Sequence, residues 1–225
     1  MSRVLEVRNI SKIYGSEGED LQVLNDISLD LNQGESLIIT GESGCGKSTL
    51  LNIIGGLDSC SAGNITSCGY NISQMNEDKL TKYRKKSIGF IFQFHYLLKD
   101  FSALENLMLP LLINGESRKI AKEHALKLIN DVGLYERKSH FPSQLSGGER
   151  QRIAIARALA NKPEIILADE PTGNLDEKNS RMVESLLFKL VEEYDKAMIL
   201  VTHDMSLKDK GNYHYSIHNG SFVEL

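Results

Sequence analysis

The chain is expected to fold as an α/β protein: a P-loop core on a mainly parallel sheet flanked by helices, with an N-terminal antiparallel β subdomain and an inserted α-helical subdomain. Three observations predict this. Leu37-Ile38-Ile39 is a short apolar run of buried-strand type, and it breaks at Gly41 into Gly41-x-x-x-x-Gly46-Lys47-Ser48 ahead of an apolar helical stretch, Leu50 to Ile54. Three more runs of the same kind, Ser87–Phe92, Glu164–Ala168 and Met198–Thr202, are separated by helix-patterned segments, as a parallel sheet requires. Residues 3–8 and 21–31 instead alternate apolar with polar, which suits an antiparallel sheet.

The glycine-rich stretch carries the first chemistry. Its glycines let the backbone curl so that successive N–H groups converge on an anion, and the helix behind adds the positive end of its dipole. Gly41, Glu42, Ser43, Gly44, Cys45, Gly46, Lys47, Ser48 and Thr49 are therefore read as a nucleotide-phosphate cradle. Lys47 reaches the β- and γ-phosphates, and the Ser48 hydroxyl ligates Mg²⁺. Four fixed positions arise by chance about 1 time in 100 in a chain this long, and the strand-before, helix-after context makes chance rarer still. Cys45, beside Lys47 and the helix start, is expected to react faster than Cys60 or Cys68.

Bulk properties narrow the partners. A chain of 225 residues, 41% hydrophobic and 25% charged, suits one large soluble domain. It holds no run of 18 apolar residues, and its first residues lack the apolar core of a signal peptide. A net charge of −4 argues against a mainly electrostatic nucleic-acid binder, so no nucleic acid is expected. Three cysteines without metal-type spacing fit a reducing compartment.

In chain order, SKIYGSEGED (residues 11–20) reads as a loop between the first two strands, with Tyr14 as an aromatic that either packs or stacks on adenine. After the P-loop helix, residues 62–72 read as strand and turn, and 76–86 as a polar helix. The strand Ser87–Phe92 ends at Gln93, where the carboxyl edge of an open sheet binds ligands. Gln93 is thus a candidate contact to Mg²⁺ or to the attacking water. Residues 94–144 are expected to be the helical insertion. Its front end, residues 94–115 with Pro110 inside, is strongly apolar, either as core or as a patch for a membrane partner. Arg118–Val132 is helical, with Ile120, Ala121, Ala125, Leu128, Ile129 and Val132 on one face and Gly133 as its stop. The rest, 1–93 and 145–225, forms the core.

Leu145-Ser146-Gly147-Gly148-Glu149 then opens a buried-type helix, IAIARALA, which Asn161 and Pro163 end. This is a second anion site of unpaired N–H groups and a hydroxyl, yet the chain has one P-loop lysine only. It is expected to read a nucleotide held by a second copy. Glu164–Ala168 is a buried strand ending in Asp169-Glu170. Neighbouring acids on an extended chain point to opposite sides, so Asp169 holds Mg²⁺ and Glu170 polarises the attacking water. A turn over Pro171–Asp176 precedes a helix with Met182, Val183, Leu186, Leu187, Leu190, Val191 and Tyr194 on one face. His203 ends the strand Met198–Thr202 at the functional edge, where an imidazole can bond the γ-phosphate. His95, His124, His140, His214 and His218 are read as structural. A hairpin turning at Asn219-Gly220 closes the chain.

Leu-Ser-Gly-Gly-Glu-Arg-Gln-Arg at 145–152, with the P-loop before it and Ile-Leu-Ala-Asp-Glu after it, resembles the ATPase domain of ABC transporters over essentially the whole chain. Five fixed residues, Leu145–Glu149, arise by chance about 1 time in 2000 in such a chain. The resemblance implies an ATPase with ATP and Mg²⁺. It implies Tyr14 as the adenine-stacking aromatic, Gln93 as the Q-loop, Glu170 as catalytic base, Asn174-Leu175-Asp176 as the D-loop and His203 as the switch histidine. It further implies a head-to-tail dimer enclosing two ATP molecules, docked on integral membrane subunits at the cytoplasmic face of the inner membrane. More narrowly, Gly89–Ile113 is similar to the ATPase subunits of bacterial lipoprotein-releasing (Lol) transporters, with macrolide-export and cell-division ATPases as close relatives. The chain ends at Leu225 without a fused membrane domain, so the membrane subunits are expected as separate chains. A soluble ABC-type ATPase acting on nucleic acid or ribosomes would call for a coiled-coil insertion or a tandem second ATPase. A non-hydrolysing regulator is disfavoured by Glu170 and His203 both being in place.

Overall fold

The computed structural model describes residues 2–16 and 19–223. Strands β1 (Arg3–Ser16) and β2 (Glu19–Asn32) pair antiparallel along their full lengths, from Arg3 opposite Asn32 to Ser16 opposite Glu19. The loop expected over 11–20 is therefore strand wherever it is described. Its polar composition has a physical cause: the outer end of the ribbon is half solvated, with Ile13 and Tyr14 exposed. Register shifts absorb the irregular alternation, and Asn9 and Asp26, both left-handed, bond to each other at 2.7 Å. With β4 (Ala62–Ser67) and β5 (Tyr70–Asn71) these strands make one sheet, ordered β2-β1-β4-β5.

The second sheet has six strands. β3 (Ser36–Thr40), β6 (Ile88–Phe92), β7 (Ile165–Asp169) and β8 (Ala197–Thr202) are mutually parallel, β9 (Tyr213–His218) runs parallel to β3, and β10 (Ser221–Val223) closes the edge antiparallel. The order is β10-β9-β3-β8-β7-β6. The last hairpin turns at Asn219 (φ 47°) and Gly220 (φ 77°), the two left-handed residues of the expected tight turn.

Alternation along these strands divides the core in two. Leu37, Ile39, Ile165, Leu167, Ile199 and Val201 pack with α1 (Lys47–Ile54) and the antiparallel sheet, so that α1 is buried between the two sheets. Ile38, Ile91, Ile166, Ala168, Met198 and Leu200 pack on the other side with α3 (Ala103–Ile113), α4 (Arg118–Asp131), α5 (Gly147–Leu159) and α6 (Glu177–Glu193). The polar helix α2 (Glu77–Ser87) leads into β6.

Two expected core residues face water. Ile120 is 51% exposed, because the buried stripe of α4 is Ala121, Ala125, Leu128 and Ile129, and Ile120 lies one residue, about 100°, off it. Met182 is 46% exposed for the same reason relative to Val183 and Leu187 on α6. The carboxyl ends of β3, β6, β7 and β8 are neighbours in the sheet, and each leads into a segment marked out by its chemistry.

Close packing of β6 on α5 yields a stability prediction. A Cβ on Gly89 would lie 2.4 Å from the Ala158 carbonyl oxygen and 2.8 Å from Ile166 Cδ1, whereas one on Gly115 meets nothing within 4 Å. Gly89→Ala should lower unfolding free energy by about 1–3 kcal/mol. Gly115→Ala, strained only by its positive φ of 95°, should cost about 1 kcal/mol. Urea denaturation of the two variants checks the order.

Candidate functional site

The P-loop is shaped by contacts that leave no room for side chains. A Cβ on Gly41 would sit 2.5 Å from the Ile217 carbonyl oxygen and 2.7 Å from Cys45 Sγ, and one on Gly46 would sit 2.7 Å from the Val23 carbonyl oxygen. Gly46, at φ 107°, precedes α1 and caps it without a side chain, so the first-turn N–H groups remain for an anion. Lys47 is buried, and its Nζ donates to the Gly41 and Glu42 carbonyls at 2.8 Å each.

A cleft of about 500 Å³ runs along this loop, walled on the other side by Gln93, Asp169, Glu170 and His203. The Ser48 hydroxyl donates to Asp169 Oδ1 at 3.0 Å. Burial, and then the charge of neighbouring Glu170, push the Asp169 carboxyl up from its usual range. Gln93 exchanges two hydrogen bonds with Asn174: its Nε2 donates to Asn174 Oδ1 at 3.3 Å, and Asn174 Nδ2 donates to its backbone carbonyl at 3.2 Å. Asp176 caps α6 by accepting from the Asn179 N–H at 3.0 Å, and Leu175 packs against the helical core.

Asp169 and Glu170 do face different partners, though the cause is not strand alternation. Strand β7 ends at Asp169, and Glu170 turns into the left-handed region at φ 46°. Its N–H bonds the Val201 carbonyl at 3.0 Å, and its Oε2 lies 2.8 Å from His203 Nδ1 and accepts from Thr202 Oγ1 at 3.4 Å.

Residues 145–149 lie elsewhere. Ser146 caps α5: its hydroxyl accepts from the Glu149 N–H at 3.2 Å, and Glu149 Oε2 accepts from the Ser146 N–H at 2.8 Å. The bond from the Ser146 N–H holds the Glu149 carboxyl below its usual range. Gly147 and Gly148 abut Leu175 and Asn179, where an added Cβ would come within 3.1 and 2.9 Å. Among the described residues, none of Leu145–Glu149 lines the cleft, and neither does Tyr14. The P-loop, Gln93, Asp169, Glu170 and His203 are thus brought together, and the second anion site is not.

Sequence reasoning missed two supports. Gln151, buried in α5, donates to the Phe92 carbonyl at 3.1 Å and ties α5 to the end of β6; a lone glutamine entering an apolar helix was its signal. Lys12 and Asp58 pair at 2.7 Å beside Tyr14, and nothing local in the sequence marks residues so far apart. His95, read as structural, accepts from Arg150 Nε at 2.5 Å. Among the described residues no three His, Cys, Asp or Glu side chains cluster as a metal site. Ser48 Oγ and Asp169 Oδ1, 3.0 Å apart, are hard oxygen donors of the kind a magnesium ion would take.

Known proteins of similar fold and sequence are abundant. The family model described as ABC transporter matches residues 24–173. The lipoprotein-releasing system ATP-binding protein LolD of Treponema denticola is 49% identical over 222 residues, covering 99% of this chain and 98% of that protein. The protein of the same name from Bdellovibrio bacteriovorus is 46% identical over 95% of this chain and 97% of its own length. A solved dimeric ATP-binding cassette in a post-hydrolysis state, bound to ADP and Pi, superposes with a TM-score of 0.89 at 39% identity, over 98% of this chain and 97% of that one.

The cysteines report on the cleft. Burial pushes the Cys68 thiol up to about 11, while Cys45 sits in the loop 3.9 Å from Lys47 Nζ. Maleimide should label Cys45 faster than Cys68, and Mg-ATP should protect Cys45 alone. Equal labelling of Cys45 with and without nucleotide would remove it from the phosphate site.

Proposed function

Since the chain belongs to the ABC transporter family, we propose that it is the ATP-hydrolysing subunit of a transporter that releases lipoproteins from the bacterial inner membrane, working as a head-to-tail dimer around two ATP molecules. The observation that carries this reading is the division of the chemistry. One cleft holds the P-loop, Asp169, Glu170 and His203, while the Ser146–Gly148 helix start lies outside it. A two-fold pair of chains lets each cleft meet the other chain's Ser146. The dimeric structure of the similar cassette and the names of the similar proteins support the same conclusion.

Each residue has one task. The N–H groups of Gly44–Thr49 and Lys47 bind the phosphates, and the Tyr14 ring stacks on adenine. Ser48, Asp169 and Gln93 would hold Mg²⁺ through their oxygens, and the ion would offset the charge of the phosphates. Glu170 holds the attacking water and takes its proton. His203 donates one ring nitrogen's contact to Glu170 at 2.8 Å and leaves Nε2 for the γ-phosphate. Asn174 links Gln93 to the D-loop, which abuts Gly147 and so reports the γ-phosphate to the second anion site.

No helix among the described residues is long and apolar enough to cross a membrane. Phe94, Tyr96, Leu98 and Ile113 are exposed on the segment after Gln93, a surface suited to separate integral membrane subunits at the cytoplasmic face. The membrane subunits select the cargo. Membrane proteins retained on this chain, and release of a lipoprotein from membranes on adding ATP, test that part.

The ATPase part predicts a trapped dimer. Glu170→Gln keeps shape and hydrogen bonding but removes the base. Turnover should fall about 100-fold or more, while ATP-dependent dimers persist on size exclusion. Unchanged turnover would take Glu170 out of the mechanism.

A further inference from the structure

Three side chains outside the phosphate cleft meet at one point. Tyr14 stands near the outer end of β1, and Asp58 follows the C-terminal end of α1. The Tyr14 hydroxyl donates to Asp58 Oδ2 at 2.6 Å, and Lys12 Nζ donates to Asp58 Oδ1 at 2.7 Å and to the Ser59 carbonyl at 2.6 Å. The Ser59 N–H bonds Asp58 Oδ1 at 2.7 Å. The same Lys12 nitrogen lies 4.6 Å from the centroid of the Tyr14 ring. Lys12 is buried to 7% exposure and Tyr14 is 43% exposed, which places the ammonium under the ring's inner face and leaves the outer face to solvent.

A buried lysine–aspartate pair alone is an ordinary tie between a strand and a helix end. The tyrosine is what such a tie does not need. Asp58 divides its two oxygens between Lys12 and Tyr14, so the ring is fixed at its hydroxyl and across one face. A free surface tyrosine changes rotamer, and freezing it on ligand binding costs affinity. Here that cost is met when the chain folds. The ammonium also draws π density toward the inner face, and the electron-poorer outer face suits an electron-rich purine. Asp58 follows the C-terminal end of α1, so the cluster is anchored just past the phosphate-binding helix.

We propose that Asp58 and Lys12 are positioning residues for the nucleotide base: they lock Tyr14 with its outer face turned out as a stacking platform, so that α1 sets both the phosphate and the base halves of the site. This rests on Tyr14 being the base-stacking residue, as proposed above.

Equilibrium binding of ATP and of inorganic tripolyphosphate, which has no base, tests both levels. Tyr14→Ala should weaken ATP about tenfold and leave tripolyphosphate unchanged. Asp58→Asn and Tyr14→Phe should each weaken ATP about threefold to tenfold, again without effect on tripolyphosphate. In the Tyr14→Ala background Asp58→Asn should add nothing. Tyr14→Phe leaves the Lys12–Asp58 pair intact and carries the test if Asp58→Asn fails to fold. Loss of ATP and tripolyphosphate binding together in Asp58→Asn would make Asp58 a strut of α1 and overturn the proposal. An effect of Tyr14→Ala with none from Asp58→Asn or Tyr14→Phe would overturn the positioning role and spare the stacking. No effect of Tyr14→Ala would overturn both.

Discussion

The N-terminus of α1 is the constraint on which the site depends. Its free N–H groups can converge on an anion only if the loop before them keeps one shape, and both sheets enforce that shape. The Val23 carbonyl on β2 abuts Gly46, and the Ile217 carbonyl on β9 abuts Gly41. Leu50, Leu51, Ile53 and Ile54 fix the helix between the two sheets, and a Cβ on Gly55 would meet the Phe90 ring. The antiparallel sheet therefore does more than cover the core. It is one wall of the mould in which the P-loop is cast.

The catalytic side follows from parallel register. Asp169 pairs with Val201 and Thr40 with Thr202, which brings the ends of β3, β7 and β8 level. Ser48 then reaches Asp169 from the helix after β3, and Glu170 reaches His203 just past β8. The left-handed turn at Glu170 lifts its carboxylate out of the strand's alternation, and its N–H is held by β8. Strained backbone of this kind persists only where its surroundings determine it. The acid and the imidazole are thereby placed as a pair, 2.8 Å apart.

Most of the site was legible in sequence because it is made of backbone chemistry that demands particular residues at fixed spacing. Gly41, Gly46, Lys47, Ser48 and Leu145–Glu149 stood out because close backbone packing and helix starts demand those residue types at that spacing. Strand ends pointed to Gln93, Asp169, Glu170 and His203, since apolar runs stop abruptly there. What escaped was set by tertiary context. The 11–16 stretch is polar because it is half solvated, so composition hid a strand. Ile120 and Met182 are apolar but sit one residue off their stripes. Helix α3 was read only as apolar, although Ser102 and Glu105 form a capping box that marks its start. Lys12, Tyr14 and Asp58 meet only through folding of the ribbon onto the end of α1.

The central claim is that each ATPase site is built from two chains. One variant, Lys47→Ala, loses the phosphate grip, and another, Ser146→Arg, blocks the second anion site. Each homodimer should be inactive, because every site in it carries a lesion. In a two-fold mixed dimer one site collects both lesions and the other is whole. Mixing the variants, with the membrane subunits present to hold the pair together, should restore part of the ATPase activity. Mixed dimers that demonstrably form yet recover no turnover would contradict the shared site and place the whole of the chemistry within one chain.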